Sequence, residues 1–164
     1  MKRLLLIAIA PAVVALVIAG CGGGGSTSAG GSGSANTAAS TGGDAATVSL
    51  RKLNVGNALV DGQGRTLYLF EADKSAMSTC NGACASLWPP ATTAGKPKAG
   101  PGVDAAKLGT TKRSNGTLEV TYNGHPLYRY APDTKPGQDA GQGLDQFGAK
   151  WYVLAATGSK IDSD

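Results

Sequence analysis

The sequence predicts a mainly β domain, built of two hairpin-based repeats that form one antiparallel sheet or sandwich, on a disordered N-terminal tether. Three observations predict it. Two similar stretches lie about 60 residues apart, glycine-bearing turns punctuate short runs of β-forming residues, and helical signals are scarce.

The repeat comes first because it organises everything else. Leu59 to Asp73, with Gly62 and Gly64 at its centre, aligns with Val120 to Asp133, which turns at Asn123-Gly124. Each copy reads as a strand, a turn, a second strand and a closing aspartate. Asn-Gly is favoured in two-residue type I′ turns because both positions need positive φ. A further turn at Ser114-Asn115-Gly116 predicts a hairpin between 107–113 and 117–122, and 151–155 supplies a last strand. The competing helical segments, 83–87 and 103–108, are each a turn or two long.

Ahead of this domain the chain is of a different kind. Met1-Lys2-Arg3 is a basic start, Leu4 to Ile18 is apolar, and the pattern is that of a signal peptide over 1–20. The apolar run is shorter than the 18 or more residues of a spanning helix. Ile18-Ala19-Gly20-Cys21 resembles the bacterial lipobox, in which the cysteine receives a diacylglycerol thioether, so Cys21 is the expected lipidation site. Residues 21–46 follow as a lipid-anchored linker of Gly, Ser, Ala and Thr, too poor in apolar side chains to order itself. About 25 such residues reach roughly 25 to 30 Å. The expected address is the outer face of the bacterial cytoplasmic membrane.

The remaining 118 residues, 47–164, make one domain, with repeats at about 55–90 and 117–156. Removing Lys2 and Arg3 from 15 basic residues leaves 13 against 11 acidic ones, near +2. Arg51-Lys52 and Lys112-Arg113 read as isolated basic pairs, not the stripe that phosphate neutralisation on nucleic acid demands. With Cys21 assigned to lipid, Cys80 and Cys84 remain as an even pair in an oxidising compartment, and a disulfide is expected. Closing so short a loop is worth about 2 kcal/mol, with Asn81-Gly82 providing the turn.

Tyr68-x-Phe70-x-x-Asp73 and Tyr128-x-Tyr130-x-x-Asp133, with Cys80-Asn-Gly-Ala-Cys84 and Leu87-Trp-Pro-Pro90, are similar to the bacterial predicted lipoproteins known as the secreted repeat of unknown function. Further matches are Tyr122 to Tyr128, Gly141-Gln-Gly143 and Gly148 to Tyr152, so the resemblance covers 55–156. It implies a secreted or lipid-anchored location and a duplicated motif, and it brings no settled activity.

Strand alternation places Tyr68 and Phe70 on one face and Leu67 and Leu69 on the other. The aromatics Tyr68, Phe70, Tyr128 and Tyr130, with Trp88 and Trp151, read first as core and second as an exposed strip that would stack on a sugar, peptide or planar cofactor. Asp73 and Asp133 read first as turn caps and second as an acid/base or metal pair. No catalytic residue and no metal ligand set is expected, since His125 is the lone histidine and no nucleophile motif occurs. No cofactor is expected. The alternative is a redox or metal-handling protein that takes copper on Cys80 and Cys84, or haem through His125 or a tyrosine. Possible partners are an envelope protein or a wall component, besides the membrane itself. The Gly137–Gly148 stretch reads as a loop and a candidate recognition surface.

Overall fold

The computed structural model describes residues 44–162. The expected signal peptide, Cys21 and the tether up to residue 43 lie outside the described residues. Ten short strands and one helical turn make up the domain: β1 Thr47–Leu53, β2 Gly56–Asp61, β3 Tyr68–Phe70, α1 Ala83–Leu87, β4 Thr92–Thr93, β5 Lys98–Ala99, β6 Leu108–Lys112, β7 Leu118–Tyr122, β8 His125–Pro126, β9 Asp145–Gln146 and β10 Ala149–Val153. The mainly β class stands, but the strands form three small sheets, not one. Their orders are β2-β1-β5, β3-β10-β9 and β4-β7-β6, with β8 added on β7. All pairings are antiparallel except the two-residue β1–β5 contact.

The expected hairpins form where turn chemistry favours them. β6 and β7 pair from Leu108↔Tyr122 to Lys112↔Leu118 around the Asn115-Gly116 turn. Asn123 and Gly124 both have positive φ, 50° and 81°, as a type I′ turn requires. Of the expected helical segments, 83–87 forms one turn, whereas 103–108 contains only the 3-10 turn Ala105–Lys107, capped by Asp104. β1, which the repeat alignment does not single out, pairs with β2 in register Leu50↔Leu59.

The two copies are joined by exchange. The amide and carbonyl of Tyr68 bond reciprocally with those of Tyr128, at 2.8 and 2.9 Å. The segment closing each copy is added to the other. β10, from the second copy, pairs with β3 of the first, and the Leu59 amide donates to the Leu154 carbonyl at 2.9 Å. In mirror fashion the Val120 amide donates to the Ala91 carbonyl at 2.8 Å, and Pro90 bridges to Tyr128.

Because side chains alternate along the central strands, they feed two cores. Leu67 and Leu69 enter one with Leu59, Val120, Leu127 and Leu154. Tyr68 and Phe70 enter the other with Tyr128, Trp88, Trp151 and both cysteines. Burying each large apolar side chain contributes roughly 1.5–3 kcal/mol.

Candidate functional site

The motif side chains meet in the second core, where the aromatic rings form a continuous stack. Phe70 lies on Trp151 at 4.1 Å, Trp151 on Trp88 at 3.9 Å with planes 5° apart, and Trp88 under Tyr130 at 4.4 Å. Tyr68 meets Trp88 edge-on at 5.3 Å, and Tyr128 meets Trp151 edge-on at 5.1 Å. Each copy therefore contributes one indole, one capping ring, flat for Phe70 and tilted by 33° for Tyr130, and one edge-on phenol. Offset and T-shaped contacts of this kind add roughly 0.5–1.5 kcal/mol per pair beyond the area buried.

The exchange extends to the polar ends. Tyr68 donates from Oη to Asp133 Oδ2 at 2.5 Å, and Tyr128 donates to Asp73 Oδ2 at 2.6 Å. The tyrosine of each motif thus bonds to the aspartate of the other. Each remaining carboxylate oxygen caps its own downstream loop: Asp73 Oδ1 accepts from the Thr79 amide and hydroxyl, and Asp133 Oδ1 accepts from the Ala140 amide. Burial, reinforced by the neighbouring carboxylate, pushes both phenols well above their ordinary range, so they remain donors. Removing either hydroxyl strands a buried carboxylate. Tyr68→Phe and Tyr128→Phe are each expected to lower stability by about 1.5–3 kcal/mol, read as a shift in the urea midpoint at unchanged slope.

Sequence reasoning left the aromatics open between core and exposed strip. The structure places Tyr68, Phe70, Trp88, Tyr128 and Trp151 inside, together with Asp73 and Asp133, and leaves Tyr130 alone half-buried. The exposed-strip reading is corrected accordingly: on this strand face the two copies supply each other's cover. The acid/base or metal reading of Asp73 and Asp133 is corrected too, since their oxygens are engaged separately by Tyr128 and Tyr68. Among the described residues no group of three His, Cys, Asp or Glu side chains is placed to hold a metal ion. His125 is half-buried after the type I′ turn and lines a cleft of about 340 Å³ with Glu71, Asp73, Lys74 and Lys160.

Cys80 and Cys84 are joined by a disulfide across a Cα separation of 5.3 Å and packed into the aromatic core. The 137–148 stretch is partly a loop, but it also forms β9 and folds over the stack. Gln146 receives both indole N–H groups, Trp88 at 2.9 Å through its side chain and Trp151 at 3.1 Å through its carbonyl. Gly141 lies so close that a Cβ there would stand 2.7 Å from the Trp88 ring.

Two polar features escape the sequence reading. The first breaks the symmetry of the copies. Beside Asp73 and Tyr128, Arg113 is buried and donates to Glu119 at 2.7 Å, Ser78 at 2.6 Å, the Cys80 carbonyl at 2.5 Å and Asn81 at 3.1 Å. Glu119 is fully buried, and its second oxygen finds no protein partner. Desolvation outweighs Arg113 and pushes the Glu119 carboxyl up to about 7. The hairpin register carried a signal, because Glu119 falls between Leu118 and Val120 on the face opposite theirs and one position from the end that holds Arg113.

The second feature is a cluster of arginines around Asp61. Arg129 donates to its Oδ2 at 2.7 Å, and Arg65 approaches the same atom at 3.3 Å. Burial opposes ionisation of Asp61, but Arg129 and the amides of Arg65 and Gln63 prevail and hold its carboxyl below the ordinary value. Arg51 completes the cluster, lying across the turn at Gly64. Arg51, read in the sequence as half of an isolated pair, is thus in space part of a basic group with Arg65 and Arg129.

Among the described residues no helix is long and apolar enough to cross a membrane. Comparison with curated proteins finds no match, and neither does comparison with solved structures. A family model described as a secreted repeat of unknown function matches twice, over residues 50–92 and 109–155. These two matches are the two copies that exchange their closing segments, and the chain belongs to the family of secreted repeats of unknown function.

Proposed function

We propose that the protein is a non-catalytic envelope module, held by a lipid on Cys21 at the outer face of the cytoplasmic membrane and presenting its duplicated domain to an envelope protein or wall component. One observation carries the reading. Both carboxylates of the motif and the phenols of Tyr68 and Tyr128 are committed to one another inside the core. A motif spent in this way maintains a fold and leaves recognition to the surface. The copper or thiol-redox alternative draws no support from Cys80 and Cys84, which are bonded to each other and buried in the aromatic core.

The anchor carries its own test. Each buried methylene contributes about 0.8 kcal/mol to membrane residence, and two chains hold essentially irreversibly. Wild-type chain expressed in a bacterium is expected to incorporate labelled palmitate and to sediment with membranes, and Cys21→Ala to lose both. A wild-type chain that took up no label would overturn the anchor.

A further inference from the structure

Three arginines meet on one face of the domain, beside the point where the tether enters it. Arg65 and Arg129 share Asp61, leaving their guanidinium faces part-exposed. Arg51 is exposed, and among the described residues no carboxylate pairs with it. Its Nη1 stands 2.5 Å from where a Cβ on residue 64 would be, so a side chain there would push the guanidinium aside; Gly64, at φ +79°, keeps the place open.

Arg51 and Arg129 line a shallow groove in two parts that share Thr47, Asp61 and Gln63, and Arg65 reaches its Asp61 wall. One, of about 500 Å³, is lined by Thr47, Ser49, Arg51, Asp61 and Gln63. The other, of about 400 Å³, runs from Asp44 and Ala45 past Asp61 to Arg129. Exposed Lys98 stands next to Thr47 on β5. Two cations, Arg51 and Arg129, line the groove with the carboxylates Asp61 and Asp44, and two more, Arg65 on Asp61 and Lys98 beside Thr47, stand at its edge, so the basic groups are in excess. An anion with several oxygens, such as a phosphate diester, fits both the charge and the forked donors.

We propose that this groove binds the phosphate headgroups of anionic lipids and seats the domain on the membrane that tethers it. The inference rests on the lipid-anchored reading. Residues 44–47 both line the groove and end the tether, so this face is the one nearest the anchor along the chain. On the lipid-anchored reading, attachment at Cys21 holds the domain at an effective concentration in the millimolar range, at which modest headgroup affinity is enough.

The test uses residues 22–164, which contain the whole described fold and lack Cys21, so the groove is read without the lipid. The chain is expected to bind vesicles of phosphatidylglycerol and phosphatidylcholine, to ignore pure phosphatidylcholine, and to dissociate in 1 M salt. At about 1 kcal/mol for each basic residue near an anionic surface, Arg51→Gln should weaken binding about fivefold and Arg51→Gln/Arg65→Gln about 30-fold. Arg51 is exposed and, among the described residues, its side chain makes no ion pair, so the single variant keeps the test valid if the double variant is destabilised. Equal binding to neutral vesicles, or an unchanged Arg51→Gln, would overturn the proposal. Displacement by millimolar inorganic phosphate would overturn it in favour of a discrete phosphate ligand. Failure here leaves palmitate labelling untouched, and failure of labelling leaves vesicle binding untouched.

Discussion

Trp88→Ala is expected to lower the unfolding free energy by about 3–5 kcal/mol, the range for deleting a large aromatic side chain from a packed core. Three things place it there. Trp88 is fully buried, its ring lies between Trp151 and Tyr130 with Tyr68 edge-on, and its indole N–H holds Gln146. The loss spreads to both copies, because Trp88 follows the first motif yet stacks on rings of the second. Chemical denaturation measures the effect, and near-ultraviolet circular dichroism reports the loss of the paired indoles. A shift below about 1 kcal/mol would show that the stack contributes little beyond its neighbours.

Arg113→Ala is expected to cost a similar amount, about 3–5 kcal/mol at pH 8, since it leaves Glu119 buried without a counter-charge and strands the Cys80 carbonyl. The effect should shrink toward pH 5. Glu119 has a folded-state pKa of about 7, raised from an ordinary 4.5, so the folded state holds its proton more tightly than the unfolded state. The stabilisation from that proton is fully present below pH 4.5 and is lost as pH rises through 7. Asp133, also raised by burial, acts in the same direction. Asp61, lowered, acts oppositely, and its contribution disappears only when the pH falls below about 4. The wild-type domain is therefore expected to be more stable at pH 5 than at pH 8, by on the order of 2 kcal/mol. Glu119→Gln should flatten that dependence. The groups facing this carboxyl are Arg113, Asp73, Ser78 and Tyr128, and a Glu119→Gln variant retaining the full pH dependence would assign it elsewhere.

Much of the architecture is legible in the sequence because it is local. Asn123-Gly124 carries its own backbone requirement, the 107–122 hairpin follows from its turn and β-forming residues, and strand alternation correctly separates Tyr68 and Phe70 from Leu67 and Leu69. Alternation states which face a side chain takes, but not what lies opposite. That is why the aromatics were open between core and surface, and why the crossed Tyr–Asp pairing does not emerge from the motif. The motif reads as two self-contained copies, each ending in its own cap. The capping half of that reading matches Oδ1 of each aspartate, while Oδ2 belongs to a residue 55 or 65 positions away. Arg51, Arg65 and Arg129 were invisible as a group for the same reason: only the folded turn at 61–64 brings them together. Lys112 and Arg113 part company in the same way, since β6 ends between them and Lys112 is exposed while Arg113 turns inward and is buried.

The exchanged closing segments also set a timetable. The first half of the domain lacks its neighbour at Leu59 until Leu154 has arrived, and β3 lacks its partner until β10 exists. A chain delivered from its N-terminus consequently reaches its destination with no finished half to obstruct its passage. Among the described strands β10 is the last in chain order, so closure of the first copy waits on the end of the second.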